Sequence, residues 1–167
     1  IYYLHINNNM KFSVTNSKSS RILQHMVFWL LSFYVLLKVF QLSDTIDEID
    51  FIYTFMFMLG LIGAVYVNVL YLIPRFLAKR QYIPYGILTI MNLGLWSFFN
   101  IILFENLIDY ILPGYYFISY YEFIDILKFT ISFVVISTLL KLSKSWFQML
   151  EAENRIVRLE SENISSE

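Results

Sequence analysis

Six ionisable residues lie near the borders of long uncharged blocks in this 167-residue sequence, all close to what would be one end of those blocks. A charge near a membrane is costly unless it is paired or reaches water, so these residues are candidates for a functional role. They predict either a small polar pocket that senses a ligand, an ion or the bilayer, or a structural set of ion pairs and headgroup contacts. The cluster comprises Lys38, Glu105, Asp109, Glu122, Asp125 and Lys128.

A second set of polar residues lies within one uncharged block and consists of Thr89, Asn92, Trp96 and Asn100. These positions fall within about 80° of one helix face, so we expect the stripe to face neighbouring helices rather than lipid. Interhelical hydrogen bonding is the simplest role, worth about 0.6 kcal/mol per bond on average. In the preceding block, small residues would permit close backbone approach: Gly60, Gly63 and Ala64.

Recognisable catalytic patterns are absent from the sequence. It contains no glycine-rich phosphate loop, nucleophile elbow or paired-histidine metal motif. It has no cysteine, which excludes disulfides and thiolate chemistry. The two histidines, His5 and His25, have no acidic partner nearby in sequence, and we interpret them as structural. We therefore predict no catalytic residue, metal site or cofactor in this chain.

Four apolar blocks must position these residues, and each is long enough to cross a bilayer as a helix of about 20 residues. The sequence is 58% hydrophobic and 15% charged, against about 25% charged residues in typical soluble domains. Lipid cannot satisfy backbone polar groups, which favours helices for uninterrupted apolar blocks. We predict an all-α, four-helix transmembrane bundle over residues 22–142, with helices at about 22–42, 51–73, 85–104 and 123–142.

The positive charges between the blocks predict the orientation of the bundle. The connector between the second and third blocks carries Arg75, Lys79 and Arg80, whereas the other two connectors contain no Lys or Arg. Cytoplasmic flanks collect these cations, so we interpret the three residues as a topogenic inner loop. Cations also flank the first and last blocks. The pattern predicts a multi-pass protein with a cytoplasmic leader, residues 1–21, and both termini in the cytoplasm.

Residues 143–167 have a charged, helix-favouring composition and are predicted to continue the fourth helix as a cytoplasmic linker. Apolar residues in this tail fit the a and d positions of a short coiled coil. Fewer than three heptads are present, so a solvated single helix is the alternative to a dimerising one. The predicted dimer seam consists of Met149, Ala152, Ile156 and Leu159.

Two stretches of the sequence carry a resemblance to a known family: the connector LYLIPRFLAKRQYIPY and the tail SWFQMLEAENRIVRLESENISSE. Together with four membrane helices, they resemble the input half of LytS/YehU-like bacterial sensor histidine kinases. In that family a similar helix leads into a phospho-accepting histidine segment and an ATPase domain, and none of those catalytic residues can be carried over here. The resemblance implies a homodimeric sensor in the bacterial cytoplasmic membrane, with ATP and Mg²⁺ used only by the kinase region.

The expected function is a sensing and signal-transmitting input domain, in which a stimulus shifts helix four and its tail. The alternative is a non-enzymatic membrane anchor or assembly protein whose tail docks a cytoplasmic partner. Transport is disfavoured, because no acidic residue lies at mid-membrane and no internal repeat is evident. The expected partners are the lipid bilayer, a second copy of the chain and, through the kinase region, a response regulator. A nucleic acid is not expected.

Overall fold

Four helices form the computed structural model of the protein, which describes residues 18–41, 44–107 and 121–165. They are α1 (Lys18–Phe40), α2 (Glu48–Tyr66), α3 (Tyr82–Ile102) and α4 (Phe123–Ile164). Helix α2 continues into a π-helical segment, Val67–Leu77, and α3 continues into a shorter one, Leu103–Leu107. No strand occurs among the described residues, and the predicted all-α fold is confirmed.

All four helices are long and apolar enough to cross a membrane, which makes the chain a multi-pass membrane protein. Their number and order agree with the prediction. The second extends to Leu77 rather than to residue 73, and the third extends to Asn106 rather than to residue 104. The fourth continues past residue 142 to Ile164, through the segment that the sequence predicts as its continuation. The apolar block marks only the membrane-spanning part of a helix. No glycine or proline follows Phe123 to end the fourth one.

Helix α2 lies at the centre of the bundle. In its most apolar 18-residue stretch 61% of the residues are buried, compared with 17%, 28% and 22% in the corresponding stretches of α1, α3 and α4. Phe57 of α2 is fully buried and packs edge-on against Phe40 of α1 and Phe129 of α4, at centroid distances of 4.9 and 5.6 Å. Such pairs contribute about 0.5–1.5 kcal/mol beyond their buried area. Helix α2 therefore anchors α1 and α4.

The cation-rich connector is shorter than the sequence predicted. Helical winding does not stop at Pro74 but continues to Leu77, and the turn before α3 spans only residues 78–81. In an α-helix, a proline lacks the N–H donor and its ring meets the carbonyl four residues back. The π winding pairs residues five apart instead, as in the 2.9 Å bond from the Ala78 N–H to the Ile73 carbonyl. Pro84 lies in the first turn of α3, where no backbone donor is needed.

The connector before α2 supplies the cap of that helix. Asp50 is only 4% exposed, and its Oδ2 accepts a hydrogen bond from the Asp47 N–H at 3.0 Å. Together the two residues form a capping box that satisfies donors at the helix start. Acidic side chains in a first turn also complement the positive end of the helix dipole. The start of α2 is thus stabilised locally by hydrogen bonds and by charge.

Candidate functional site

A directed chain of hydrogen bonds links α3, α2 and α4 inside the bundle. The Tyr85 hydroxyl donates to Asn68 Oδ1 (3.2 Å), and Asn68 Nδ2 donates to Thr138 Oγ1 (2.8 Å). The Thr138 hydroxyl then donates to the Val134 carbonyl of its own helix (2.6 Å). Asn68 is fully buried, and both ends of its carboxamide are satisfied within the protein. Through the π segment, this chain fixes α4 relative to α3.

A second contact joins α3 directly to α4, further from the 78–81 turn. The Ser97 hydroxyl donates to Thr130 Oγ1 (3.2 Å), and the Thr130 hydroxyl donates to the Ile126 carbonyl (2.9 Å). Ser97 and Thr130 are 0% and 1% exposed. Thr130 and Thr138 are about 12 Å apart along α4 at 1.5 Å per residue. Helix α4 is therefore held in register at two separate levels.

The polar stripe on α3 lies against α2. Asn92 is buried, and its Nδ2 donates to the Ala64 carbonyl at 3.0 Å. Ala64 lies just before the π segment, where the partners of backbone carbonyls change from four to five residues away. A side-chain donor from α3 supplements the bonding of the α2 backbone at this change. This hydrogen bond joins the stripe to Ala64, one of the three small residues of the second apolar block.

Two further residues of the stripe lie against the two glycines of α2. The Trp96 ring lies where the Cβ of any larger residue at position 63 would be, and the Asn100 carboxamide lies in the equivalent place beside Gly60. Replacing either glycine would force a side chain or a helix to move. The small patch on α2 and the polar face of α3 therefore form one close interface.

Two polar groups of the stripe have no hydrogen-bond partner within the described part of the chain. Asn100 is 0% exposed, yet neither its Nδ2 nor its Oδ1 is bonded, and the buried Oγ1 of Thr89 is also unbonded. A buried polar group left unpaired costs about 1–3 kcal/mol. The stripe therefore includes polar atoms that do not stabilise the observed arrangement of helices.

Alanine substitutions at two buried asparagines are expected to differ in their effect on stability. Asn68→Ala removes two hydrogen bonds, each worth about 0.6 kcal/mol in a membrane, and should lower the free energy of unfolding by about 1–2 kcal/mol. Asn100→Ala loses packing but also removes an unpaired amide, so it should cost about 1 kcal/mol less than Asn68→Ala. Unfolding in mixed detergent micelles measures both changes. Equal losses would contradict the assigned bonding.

Three members of the predicted ionisable cluster have short-range partners in the structure. Lys128 pairs with Asp125, three residues earlier on α4, at 2.8 Å. Lys38 donates to Gln41 Oε1, three residues later, at 3.0 Å. Both contacts are exposed, and such surface contacts are worth about 0–1 kcal/mol. Within the described ranges, Lys38 forms no ion pair with a carboxylate of another helix.

The remaining acidic members of the cluster lie in separate places. Glu105 is exposed in the π-helical end of α3, and Glu122 is exposed at the residue that precedes α4. Asp109 lies outside the described residues. Among the residues that the structure describes, no ion pair joins Glu105 or Glu122 to a lysine. The contacts therefore do not assemble these residues into one enclosed polar site.

Tyr121 connects the start of α4 with the aromatic core. Its ring lies 5.3 Å from the ring of Phe40 and 5.6 Å from that of Phe129. Burial raises the pKa of the Tyr121 phenol, and the nearby Asp125 carboxylate raises it further. The hydroxyl is therefore protonated at neutral pH and can act as a hydrogen-bond donor. It supplies a polar group beside the lysine–aspartate pair that starts α4.

The three cations predicted to form the inner loop divide between a helix and a turn. Arg75 lies in the π segment, where its Nη1 donates to the Tyr71 hydroxyl at 2.9 Å and its guanidinium lies 5.2 Å from the Tyr71 ring centre. Lys79 and Arg80 lie in the 78–81 turn, and Arg80 has a φ of 60°. All three cations are exposed, so lipid phosphates and water can reach them.

The four predicted seam residues lie on the part of α4 that extends past the bundle. All four are exposed, with Met149, Ile156 and Leu159 at 65%, 57% and 55%. Trp146 and Phe147 are also exposed, at 67% and 69%. A contiguous apolar surface of this kind marks a contact region, because monomeric soluble surfaces rarely leave one uncovered.

Several of these contacts were not predicted from the sequence. Asn68 is the only amide in the second apolar block, and its residue type alone could have identified it. Ser97 and Thr130 carry a weaker signal, because a hydroxyl in a membrane helix can bond its own backbone. His25, interpreted as structural, has its Nδ1 atom 3.5 Å from the Tyr66 hydroxyl. A histidine–tyrosine contact between helices has no short-range sequence pattern.

No family model, curated protein or solved structure matches the chain. Within the described residues, no group of three or more histidine, aspartate or glutamate side chains could hold a metal ion. The fold and its contacts define a multi-pass, four-helix membrane bundle. In this bundle, one long helix joins buried polar contacts to an exposed apolar tail.

Proposed function

We propose that the chain is the membrane-embedded input domain of a bacterial two-component sensor histidine kinase. The observation that carries this proposal is the continuity of α4, which runs without a break from Phe123 to Ile164. One helix thereby contacts buried polar residues of the bundle and ends in an apolar tail. The resemblance to LytS/YehU-like sensors supports the same function. ATP and Mg²⁺ would act in a downstream kinase region, which would serve a response regulator.

Helix α4 is long enough to transmit a movement beyond the membrane. Its 42 residues extend for about 63 Å at 1.5 Å per residue. The hydrocarbon core of a bilayer is about 30 Å thick, so about 30 Å of the helix extends past it. At the base of this extension, Lys144 Nζ donates to Gln24 Oε1 of α1 at 2.8 Å. The cations at this end favour a cytoplasmic tail under the positive-inside rule.

The contacts that hold α4 are of a kind that permits a second arrangement. Thr130 and Thr138 each donate to a carbonyl of their own helix, at 2.9 and 2.6 Å. Their hydroxyls therefore keep a partner when the contact to α2 or α3 is broken. A stimulus at the Lys128 end of the bundle, or in the bilayer, would favour one of two positions of α4 relative to α2 and α3. Helix α4 would shift as a result.

The tail supports a parallel homodimer, because two copies in one membrane send their tails to the same side. With Met149 and Ile156 at a positions, Arg155 is at g and Glu160 is at the e position that faces it across the seam. Opposite charges at g and e stabilise parallel pairing. Neither residue forms an ion pair within the described chain. The tail therefore carries an unpaired, complementary charge on each side of the seam.

Single cysteines along α4 are expected to cross-link two copies on one face only. The chain has no cysteine, so each variant carries a single thiol. Oxidation in native membranes should give disulfide dimers at Ala152→Cys and Leu159→Cys several times faster than at Glu151→Cys and Arg158→Cys. Each control position lies one residue, about 100° around the helix, from its test position. Equal rates at all four positions would exclude the proposed seam.

The exposed tail also favours a second function, that of a membrane anchor or assembly protein. In that case its apolar face would bind a cytoplasmic partner in place of a second copy. The coding DNA beyond Glu167 separates the two functions. A frame that continues into a phospho-accepting histidine segment and an ATPase domain supports the sensor, whereas an immediate stop codon supports the anchor.

A further inference from the structure

A groove of about 580 Å³ runs between α1 and α2 and opens to the surface of the bundle. This volume is within the range of about 300–1,000 Å³ that small-molecule sites occupy. Its lining is mainly apolar and includes exposed side chains of both helices, such as Met26, Leu30 and Phe55. Because both helices span the membrane, lipid has access to the open side of the groove.

Polar side chains line only one end of this groove. Trp29 Nε1 donates to the Tyr66 hydroxyl (3.2 Å), and the Tyr66 oxygen lies 3.5 Å from His25 Nδ1. The roles of the Tyr66 hydroxyl and Nδ1 in this contact depend on the tautomer of the ring. In the tautomer in which the hydroxyl donates to Nδ1, the ring proton is on Nε2. In the described chain, Tyr66 is the only hydrogen-bond partner of His25. Its Nε2 is therefore available to donate to a group outside the protein.

The length of the groove corresponds to one leaflet of a bilayer. From Ile22 to Phe33 its lining on α1 covers about 16 Å at 1.5 Å per residue, and half of a hydrocarbon core is about 15 Å. Ile22 is the first residue of the α1 span. The groove therefore begins with His25 near the membrane surface and ends near the midplane. A phospholipid acyl chain has this direction and covers this depth.

Several residues with cationic side chains occur in the sequence at this end of the bundle. The positions of Lys18 and Arg21 lie on the same face of α1 as His25, seven and four residues before it. The 78–81 turn, with two further cations, lies at the same end of the bundle. Basic clusters beside membrane helices attract anionic lipid headgroups. We propose that the groove binds an acyl chain of an anionic phospholipid whose phosphate accepts a hydrogen bond from His25 Nε2.

A phospholipid suits this groove better than a membrane helix from a second copy. An apolar helix would bury the His25 donor without an acceptor, which is unfavourable for any polar group. A phospholipid supplies an acceptor at the membrane surface and a chain below it, in the order that the groove presents. Its negative charge also balances the cations at that end. This inference does not depend on the proposed kinase function.

Lipids with brominated acyl chains test the proposal, because bromine quenches tryptophan fluorescence on contact and Trp29 lines the groove. In the full chain with Trp96→Phe and Trp146→Phe, Trp29 is the only tryptophan. In phosphatidylcholine nanodiscs, brominated phosphatidylglycerol should associate with the site about fivefold more strongly than brominated phosphatidylcholine, the ratio expected for one charged headgroup contact. His25→Phe keeps a ring against Tyr66 but removes the donor to the phosphate, a group that both lipids carry, so it should lower the association of both.

Two matched double variants test whether the groove itself binds the chain. Met26→Phe with Leu30→Phe adds two rings to the lining, whereas Val27→Phe with Leu31→Phe adds the same rings outside it. The four residues are 56%, 67%, 57% and 64% exposed in that order, so both pairs of changes should be tolerated by the fold. The filled groove should lower the association of both lipids with Trp29. The control pair should leave it unchanged.

Weaker association of both lipids in His25→Phe and in the filled groove, with the anionic preference present in the parent chain, would support the site. Association unchanged in His25→Phe would overturn the proposed hydrogen bond. Equal quenching by the two lipids in the parent chain would overturn the anionic headgroup, and quenching unaffected by filling would overturn the groove. Quenching that falls when a nanodisc holds two copies instead of one would show that a second copy covers the groove, and would also overturn the proposal. If the single-tryptophan chain does not fold, native mass spectrometry of the unmodified chain measures the same lipid preference.

Discussion

Gly63→Ala is expected to lower the free energy of unfolding by about 1–3 kcal/mol, the usual cost of overpacking a close-packed interior. The Trp96 ring occupies the space that the new Cβ would need. That ring also packs against Phe99 at a centroid distance of 5.4 Å, and an indole has no flexible end that could move aside. Helices α2 and α3 would have to separate, which would weaken the bond from Asn92 to the α2 backbone.

Gly94→Ala, on α3, is the matched control for this substitution. An added Cβ at position 94 meets no atom within 4 Å. Alanine is favoured over glycine in a helix interior by about 0.5–1 kcal/mol, so stability should stay the same or rise. Unfolding of both variants can be followed by circular dichroism across one detergent series. An equal loss at both positions would show that the contact between α2 and α3 is not the cause.

If the chain belongs to the proposed sensor kinase, inserting one residue between Ser145 and Trp146 of that kinase should change autophosphorylation by about 5–150-fold, the range of typical coupling between distant sites. One extra residue rotates the tail by about 100° and advances it by about 1.5 Å. The contacts of the bundle with α4 stay as they are, since all of them, including the exposed one at Lys144, precede the insertion. Seam residues such as Met149 would then point away from the partner.

An insertion of seven residues at the same place is the control. Seven residues restore the rotational phase of the tail to within about 20°, so the seam should form and output should remain close to that of the unmodified protein. Autophosphorylation of both variants is compared in membranes at equal protein levels. Unchanged output after the single insertion would contradict rigid transmission through α4.

The number and order of the helices could be predicted because a bilayer requires about 20 apolar residues per span, and this requirement is visible residue by residue. The positions at which the helices end could not be predicted in this way. Pro74 is typical of a helix stop, yet the π segment carries the winding on to Leu77. Sequence rules for helix ends assume α winding, in which a proline interrupts the hydrogen-bond ladder, so they do not predict winding that continues past a proline.

The polar stripe was predictable because its residues share one helix face, but its partners were not. A helical wheel gives the direction of a side chain without identifying the neighbouring helix. Asn92 bonds the backbone carbonyl of Ala64, an acceptor that every residue has and that therefore carries no sequence signal. Asn68 could have been noticed as a buried amide, although its bridging of Tyr85 and Thr138 required the structure.

The ionisable cluster was grouped by depth in the membrane, and depth does not determine where a residue lies around the bundle. Lys128 bonds Asp125 on its own helix, because residues three apart are neighbours there. Lys38 likewise bonds Gln41. Such short-range partners are favoured, because two long side chains from different helices lose more conformational freedom when they are held in one geometry.

Labelling of single cysteines in intact cells tests the orientation on which the proposed signal path depends. Asp44, Gln81 and Ser143 are all exposed in the structure, so a cysteine at each can react when its side of the membrane is accessible. The proposed topology predicts that a membrane-impermeant maleimide labels Asp44→Cys from outside and labels Gln81→Cys and Ser143→Cys only after the cells are opened. Labelling of Gln81→Cys in intact cells, with Asp44→Cys protected, would contradict the cytoplasmic tail and the path through α4.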